Sequence, residues 1–528
     1  MPAPQPRPVA PPAIPAGMFA GWIPLLILLL AAGLRLPGLW TDFWLDEIWS
    51  WTLVWDWRSN ARISGVAGIF TEIHQDNNNY LNTLFLYVCG PAAPTALYRL
   101  PALLAGVATV WLGGHLVARW TEVWQASVVE SGSTLRVEDS RRGASCHNSA
   151  KLAVWFGLGL LATSEVEVIY SSEARGYALA GCAALAAQWS LGCLLRFNNW
   201  SSAGGFALLA CAGFLSHLSF LPVFLAQAVW SLAALIWSRQ LGGSWNSVLG
   251  KLLVAFGSPS LMVGGLWLVD LSRTHVGGGP ELIPLVVACD TLSMPFGVSL
   301  PEAYSFPLGL LFAALLITGL WSLRRAPTLE IVGLAGLTVI APAVLFGMAP
   351  QGLVYPRHFL VSLTLLIPVA GAGLARWLTA DRRLLQLPGF LVVTVWCLGN
   401  GSELIRFWSS GRGQYQAALA HIAGSEGDRE LLVGGDFDFR NAMLVGFYQV
   451  RSPAYQRLIY VPQTAWGSHR PDWILMHDLN REPRFLREVE AQGQRYSLDK
   501  VFPFAGPVGW HWGAYRLVRT VASITGAT

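Results

Sequence analysis

The sequence carries little charge: of 528 residues only 12% are Asp, Glu, Lys or Arg, whereas 53% are hydrophobic. Soluble domains hold about 25% charged residues. The shortage excludes an ordinary soluble globular protein and implies a chain that crosses a membrane many times. Basic runs interleaved with aromatic residues are missing too, and the formal net charge is only +4. Both features speak against nucleic acid as a partner. The seven cysteines form no CxxC pair, which removes thiolate zinc sites of that type. Most of them lie in apolar runs, where a thiol packs as a small hydrophobe, and spacing alone does not join Cys89 to Cys289. No small-x-small cleavage site follows the first apolar run, 19–34, so that run reads as an uncleaved first span. The Pro-rich stretch before it, 1–18, reads as a disordered tail.

What is present is a series of apolar runs. About eleven are long enough to span. They lie near 19–36, 97–118, 151–169, 177–196, 203–217, 218–238, 251–270, 307–323, 329–347, 359–378 and 385–404. With the N-terminus inside, every inner connection holds a basic residue: Arg119, Arg136, Arg141, Arg142 and Lys151; Arg196; Arg239 and Lys251; Arg324 and Arg325; Arg376, Arg382 and Arg383. The positive-inside rule therefore puts the C-terminus outside. Many of the 25 Trp lie at the ends of the runs, where amphipathic rings favour the headgroup layer. The segment 121–150 reads as a flexible inner loop, and 37–98 as a long outer loop in which 79–90 forms a helix along the membrane surface. A second outer loop, about 270–306, contains Gly277-Gly278-Gly279-Pro280 and reads as a mobile cover.

Beyond residue 404 the composition becomes that of a soluble domain. Helices are expected at 414–423, 441–449 and 483–492, and strands at 430–434, 472–476, 496–502 and 510–518. Their alternation implies a small α/β domain, 405–528, attached to a membrane module, 19–404. This tail carries neither a phosphate loop nor a nucleophile motif.

The residues with chemistry lie at the outer ends of the spans. In Trp40-Thr41-Asp42-Phe43-Trp44-Leu45-Asp46-Glu47-Ile48-Trp49-Ser50-Trp51, carboxylates stand among tryptophans directly after the first span. Two readings of Asp46 and Glu47 stand side by side. They are solvated acids pairing with Arg35, or a general base or metal ligand whose pKa is raised by apolar rings. In an extended segment two adjacent acids cannot address one atom, so one would do chemistry and the other hold geometry. The patch His74-Gln75-Asp76-Asn77-Asn78-Asn79-Tyr80-Leu81-Asn82 is dense in hydrogen-bonding groups. His74, Asp76, Asn78 and Asn79 are either substrate contacts or the turn that caps the following helix. In Ser171-Ser172-Glu173-Ala174-Arg175-Gly176-Tyr177, Arg175 either grips a phosphate or pairs with an acid such as Glu173. Arg99, and Arg357 with His358 in Tyr355-Pro356-Arg357-His358, are outer cations that either hold a lipid phosphate or snorkel to headgroups. His217, at an outer hairpin, is more simply a structural histidine.

Taken together and in order, these motifs resemble the membrane glycosyltransferases of the GT-C fold. Within them they resemble the protein O-mannosyltransferase and aminoarabinose transferase group, glycosyltransferase family 39 in bacterial form. The resemblance covers residues 35–51, 74–86, Arg99-Leu100-Pro101, Ser172 to Tyr177 and Tyr355 to His358, together with the layout of spans and outer α/β tail. It departs at His74-Gln75-Asp76, where many relatives have His-Pro-Pro.

The resemblance implies a bacterial inner-membrane enzyme of GT-C type with its tail domain outside the cell. It implies inverting transfer of a hexosyl or pentosyl group from a polyprenyl-phosphate donor to an acceptor hydroxyl on a glycolipid, polysaccharide or protein. Carried over by position, Asp46 is the base and Glu47 its neighbour. Glu173 and Tyr177 join the substrate contacts, and Arg357, with Arg175 or Arg99, holds the phosphate. Some enzymes of this fold use a divalent metal such as Mg or Mn, for which His74, Asp46 and Glu173 are the available ligands. Two other classes fit a polytopic chain: a transporter or flippase, and a non-catalytic protein that binds envelope polymers. A transporter calls for charges at mid-membrane and an internal repeat. Here the conspicuous charges sit at the outer ends.

Overall fold

The computed structural model describes residues 22–518 apart from 59, 132–137, 241–245, 276–280, 298–301, 325–328, 349–352, 382, 481 and 507–508. The expected tail 1–18 and the glycine stretch 277–279 of the expected cover lie outside the described residues. The chain divides into two compact units. One comprises Met1–Arg35, Pro101–Ser171 and Gly176–Gly401, the other Leu36–Leu100, Ser172–Arg175 and Ser402–Thr528. The tail part of the second unit begins at Ser402, and the segment Leu36–Leu100 and the turn Ser172–Arg175 group with it.

The first unit is helical. Among the described residues of the whole chain, nine helices are long and apolar enough to cross a membrane, so the protein is polytopic. Two of the eleven expected spans fall outside that set. One is Trp200–Ser216, an apolar helix of 17 residues. The other is Glu138–Thr163, whose N-terminal half is polar. The segment 121–150, expected as a flexible loop, is helical on both sides of 132–137, within Thr95–Ser131 and Glu138–Thr163.

The central helix of this unit is Leu360–Leu378. Every residue from Leu360 to Ala375 is buried, as an all-round apolar stretch requires when it lies inside a bundle. Small residues set its packing distances, because helices in lipid gain mainly from close van der Waals approach. A Cβ on Gly371 would stand 2.6 Å from the Gly157 backbone nitrogen, and one on Gly373 would strike the Leu315 carbonyl. Arg119, counted above as an inner-loop cation, pairs with Glu330, whose Oε1 also accepts from Gln188 Nε2 at 2.7 Å. Arg35 belongs to this first unit. Its guanidinium donates to Ser171 Oγ at 2.7 Å and to the carbonyls of Ala162 and Leu161 at 3.0 and 3.1 Å. It thereby serves the helix end at which the first unit's long helix Glu138–Thr163 stops.

The second unit is built on a six-stranded sheet. Its strands are β1 (Leu431–Gly435), β2 (Leu458–Tyr460), β3 (Trp473–Asp478), β4 (Glu488–Ala491), β5 (Gln494–Phe502) and β6 (His511–Leu517), in the order β2-β1-β3-β6-β5-β4. β1 is parallel to β2 and β3, and the remaining pairs are antiparallel. Four helices matter to the site: α1 (Leu45–Val54), α2 (Tyr80–Cys89), α3 (Tyr415–Gly424) and α4 (Asp438–Arg451). The expected helices at 414–423 and 441–449 are α3 and α4. The one expected at 483–492 is instead strand β4 with its turn. Gln492 and Gly493 both take positive φ, 50° and 69°, the pair of left-handed residues that closes a two-residue hairpin and ends a helix. Glu488-Val489-Glu490-Ala491 also alternates with period two. Strand β2, three residues long, was too short to show a pattern.

The tail domain is fastened onto the segment Leu36–Leu100 within this unit. Tyr448 Oη on α4 donates to the Phe43 carbonyl at 2.8 Å, and the Phe43 and Phe447 rings stack at 5.3 Å. Arg451 donates to the carbonyls of Ala93 and Pro91 at 2.9 and 2.8 Å and to Tyr98 Oη at 3.1 Å. Cys89 is a free thiol, as is Cys289.

Candidate active site

The acidic motif is helical rather than extended. Asp46 and Glu47 occupy the first turn of α1, where carboxylates complement the exposed N–H groups. Consecutive helical residues point about 100° apart, and burial separates the two accordingly. The Glu47 side chain is fully buried, whereas Asp46 retains 14% exposure.

Glu47 is enclosed by donors. Its carboxylate accepts from Arg99 Nε at 2.8 Å and Nη2 at 2.5 Å, from the Ala174 backbone N–H at 2.7 Å and from the Trp44 backbone N–H at 3.2 Å. The last bond is the reach-back half of a capping box. Arg99 in turn spends its other donors on the carbonyls of Gly38, Leu39 and Thr41 from Nη1, and of Asp42 from Nη2. All five N–H groups of the guanidinium thus point at protein acceptors. Glu47 and Arg99 are therefore a structural pair. Of the two adjacent acids Glu47 is thus the one fixed by protein donors, and the Arg99 guanidinium is taken up by protein acceptors.

Asp46 is held differently. Arg175 Nη1 pairs with Asp46 Oδ2, and Arg175 Nη2 donates to Asn77 Oδ1 at 2.8 Å. The Asn77 amide then donates to the Asp46 carbonyl at 2.7 Å and to Ser50 Oγ at 3.0 Å. A closed ring of contacts thus joins α1, the Asn-rich turn and the turn 172–175. Asn77 was not singled out from sequence; it stood in a run of three asparagines with nothing to rank them.

The turn 172–175 is pinned through its backbone. The Ala174 N–H is held by Glu47, and the Ala174 carbonyl accepts from Asn82 Nδ2 at 2.7 Å. With Ala174 fixed, its neighbours splay. Arg175 reaches Asp46, and Glu173 pairs with Arg412, whose guanidinium lies 4.7 Å from the Trp44 ring centre. Burial pushes the Glu173 carboxyl up to about 7. Arg412 is the largest opposing influence, Glu47 adds to the rise, and Arg175 and Arg99 oppose it. Burial likewise raises the Asp42 carboxyl, against hydrogen bonds from the Gln416 backbone N–H at 2.7 Å and side-chain amide at 2.8 Å. Sequence reasoning missed Arg412 and Gln416, which lie far along the chain from their partners.

The remaining expected residues are placed as follows. Asn78 Nδ2 donates to the Ile69 carbonyl at 2.8 Å. Asn79 precedes α2 but makes no side-chain capping bond, donating instead to the Asn77 carbonyl at 3.3 Å. His74 is half-buried and Asp76 exposed in the same turn. Tyr177, Arg357 and His358 belong to the first unit. There Tyr177 stacks on His217 at 3.9 Å between ring centres, which makes His217 a packing residue. The Arg357 guanidinium lies 5.2 Å from the Tyr355 ring centre, and His358 Nδ1 accepts from the Tyr355 N–H at 3.3 Å.

A divalent cation fits this arrangement poorly. Each acid proposed as a ligand is already neutralised: Asp46 by Arg175 and Glu173 by Arg412. Among the described residues no group of three or more His, Cys, Asp or Glu is arranged to hold a metal.

No protein-family model matches the sequence, and no curated protein matches it. Among solved structures the chain is similar to ArnT from Cupriavidus metallidurans in the apo state, with 12% identity and a TM-score of 0.49 over 87% of this chain and 93% of that one. It is similar to ArnT bound to undecaprenyl phosphate, with 12% identity and a TM-score of 0.47 over 97% and 100%. It is also similar to the archaeal oligosaccharyltransferase AglB from Archaeoglobus fulgidus in complex with an inhibitory peptide and a dolichol-phosphate. That likeness has 11% identity and a TM-score of 0.42 over 86% and 69%.

Proposed function

We propose that the chain is a GT-C membrane glycosyltransferase of the bacterial inner membrane, with its N-terminus in the cytoplasm and its tail domain outside. It moves a sugar from a polyprenyl-phosphate donor to an acceptor hydroxyl, with inversion, and Asp46 is the general base. One observation carries this reading. Of the two acids in the motif, Glu47 is walled in by four donors, while Asp46 stays reachable and is oriented by Arg175 and Asn77. The ordered motifs that resemble this enzyme group supply the reaction class.

In this reading Asp46 takes the acceptor's hydroxyl proton as the oxygen attacks the anomeric carbon. The bond from that carbon to the phosphate oxygen breaks, and its electron pair leaves with polyprenyl phosphate. A carboxylate held by a guanidinium is aimed before substrate arrives, as a base must be. The leaving phosphate needs a cation. The Arg99 donors are taken up within the protein, so the resemblance leaves Arg357 or Arg175 as the phosphate holder.

The test is purification with native lipid, mass spectrometry of bound polyprenyl phosphate, and a transfer assay over candidate acceptors. Undiminished transfer by Asp46→Asn would sink the proposed base. Absence of any bound polyprenyl phosphate, together with no transfer from such donors, would sink the donor class.

A further inference from the structure

Strand order in the tail domain marks a second place of interest. The chain leaves β1, crosses through α4 to β2 on one side, and then returns to β3 on the other side of β1. The connections therefore part between β1 and β3. In open α/β sheets, ligands bind outside the carboxyl ends of the strands at such a point. Here those ends carry Asp436, directly after β1, and His477 on β3. The His477 backbone N–H donates to Asp436 Oδ2 at 2.8 Å, and His477 Nδ1 lies 2.7 Å from the same oxygen. Both side chains keep about a fifth of their surface exposed, at 20% and 22%.

Aromatic rings extend from this pair. Phe437 lies 6.2 Å from His477, and the Arg440 guanidinium sits 4.8 Å from the Phe437 ring and 5.3 Å from Trp510. Phe437, the residue before α4, and Phe439, in its first turn, are 45% and 49% exposed, although both are large apolar side chains. Phe439 meets Trp49 edge to face at 5.6 Å. Trp49 stands on α1 one turn beyond Asp46, on the same side of the helix. A strip of rings and planar polar groups thus runs from the strand ends to the helix that bears the proposed base, wholly within one compact unit.

We infer that this strip binds sugar rings of the acceptor, so that the acceptor is a saccharide-bearing molecule. The inference rests on the transfer reading above and narrows its acceptor. A pyranose presents an apolar C–H face, which suits the negative face of an aromatic ring, and a rim of hydroxyls that needs planar donors and acceptors. Exposed Phe437 and Phe439 with half-buried Trp49 supply the first, and Asp436, His477 and Arg440 the second. A bilayer would satisfy the phenylalanines but would strip water from Asp436, His477 and Arg440.

The experiment uses the full chain in detergent micelles, with chitotetraose and maltotetraose as soluble probes, read by saturation-transfer NMR and titration. Wild type binds at least one probe. F437A/F439A, and separately H477A, weaken that binding by about tenfold. The phenylalanines are exposed, so their removal leaves the fold intact. Failure of wild type to bind either probe, or binding unchanged in both strip variants, overturns the inference. A nitroxide at F439C in vesicles, in a background freed of its other cysteines, adds a second reading. Collision with an aqueous nickel chelate supports the glycan surface, and collision only with oxygen dissolved in lipid overturns it. Because binding is read without turnover, these results stand apart from the transfer assay on D46N that decides the base.

Discussion

The Glu47 carboxylate and the Arg99 guanidinium meet in two bonds of 2.8 and 2.5 Å with both side chains buried, and neither keeps surface for a substrate. Breaking a buried pair by removing one partner leaves the other charge stranded, at a cost of about 3–5 kcal/mol. Glu47→Gln and Arg99→Met are each expected to lower unfolding stability by about that amount. The double variant should recover part of the loss. Chemical or thermal unfolding in detergent checks this. A double variant no better than the worse single one would count against the pair as the unit of stability.

Asp46 and Glu47 should separate in kinetics. Asp46→Asn keeps shape and the capacity to accept from Arg175, but it cannot take a proton. The expected loss in kcat is about 10²–10⁴-fold, with the melting temperature near that of wild type. Arg175→Lys gives up the fork that reaches both Asp46 and Asn77. It should lower kcat less than Asp46→Asn does, because the base remains but is poorly aimed.

How far these roles were legible in the sequence follows from distance along the chain. The acidic pair stood out because carboxylates directly after an apolar span are costly, and the α/β tail stood out through its periodicity. The split between Asp46 and Glu47 needed the helix phase, which a segment rich in tryptophan does not announce. The partners were harder still. Arg412 is separated from Glu173, and Tyr448 from Phe43, by hundreds of residues. Periodicity carries no information about pairs so far apart. Strand β4 was misread because its polar residues suit an exposed edge strand as well as a helix, and the deciding feature was the Gln492-Gly493 turn. The grouping of the outer loop with the tail likewise depends on Arg451 and Tyr448, whose side chains gave no local signal.

Glu173 sets a pH dependence. Its carboxyl lies near 7 in the folded protein, above the ordinary carboxylate range, because burial disfavours the charge more than Arg412 favours it. A folded pKa above the unfolded one means that the native state binds the extra proton. Stability from this group is therefore present below about pH 4.5 and declines as pH rises from there to about 7. The unfolding midpoint of wild type should fall between pH 5.5 and 8, other groups being equal. Glu173→Gln has no proton to lose, so its midpoint should change less over the same interval. Parallel pH profiles for the two proteins would reject Glu173 as the source.

Tyr448 offers a small and clean test of how the tail is fastened. Its hydroxyl makes one bond, to the Phe43 carbonyl, while the ring is packed in the same place whether or not the oxygen is there. Tyr448→Phe should cost about 0.5–1.5 kcal/mol, rising toward 3 if the carbonyl is left without a donor. Limited proteolysis of the loop 37–98 should quicken in step with that loss.

Gly38 ties the steric and chemical parts of the unit together. A Cβ at this position would stand 2.5 Å from Ser172 Cβ and 2.6 Å from its Oγ. Real side-chain atoms do not approach so closely, so Gly38→Ala must push the turn 172–175 away. That turn presents Glu173 to Arg412 and Arg175 to Asp46, and Gly38 itself offers its carbonyl to Arg99 at 2.9 Å. The expected result is an overpacking cost of about 1–3 kcal/mol. Because Arg175 moves with the turn, activity should fall beyond what lost folding explains, by about tenfold or more. Ser172→Gly removes the atoms that the new methyl would strike. The pair Gly38→Ala/Ser172→Gly should therefore regain both stability and transfer, whereas Ser172→Gly alone should be nearly neutral for transfer. Activity measured per folded molecule distinguishes the outcomes. If Ser172→Gly fails to rescue, the methyl group disturbs Arg99 rather than the turn, and the route from Gly38 to Asp46 through Arg175 is wrong.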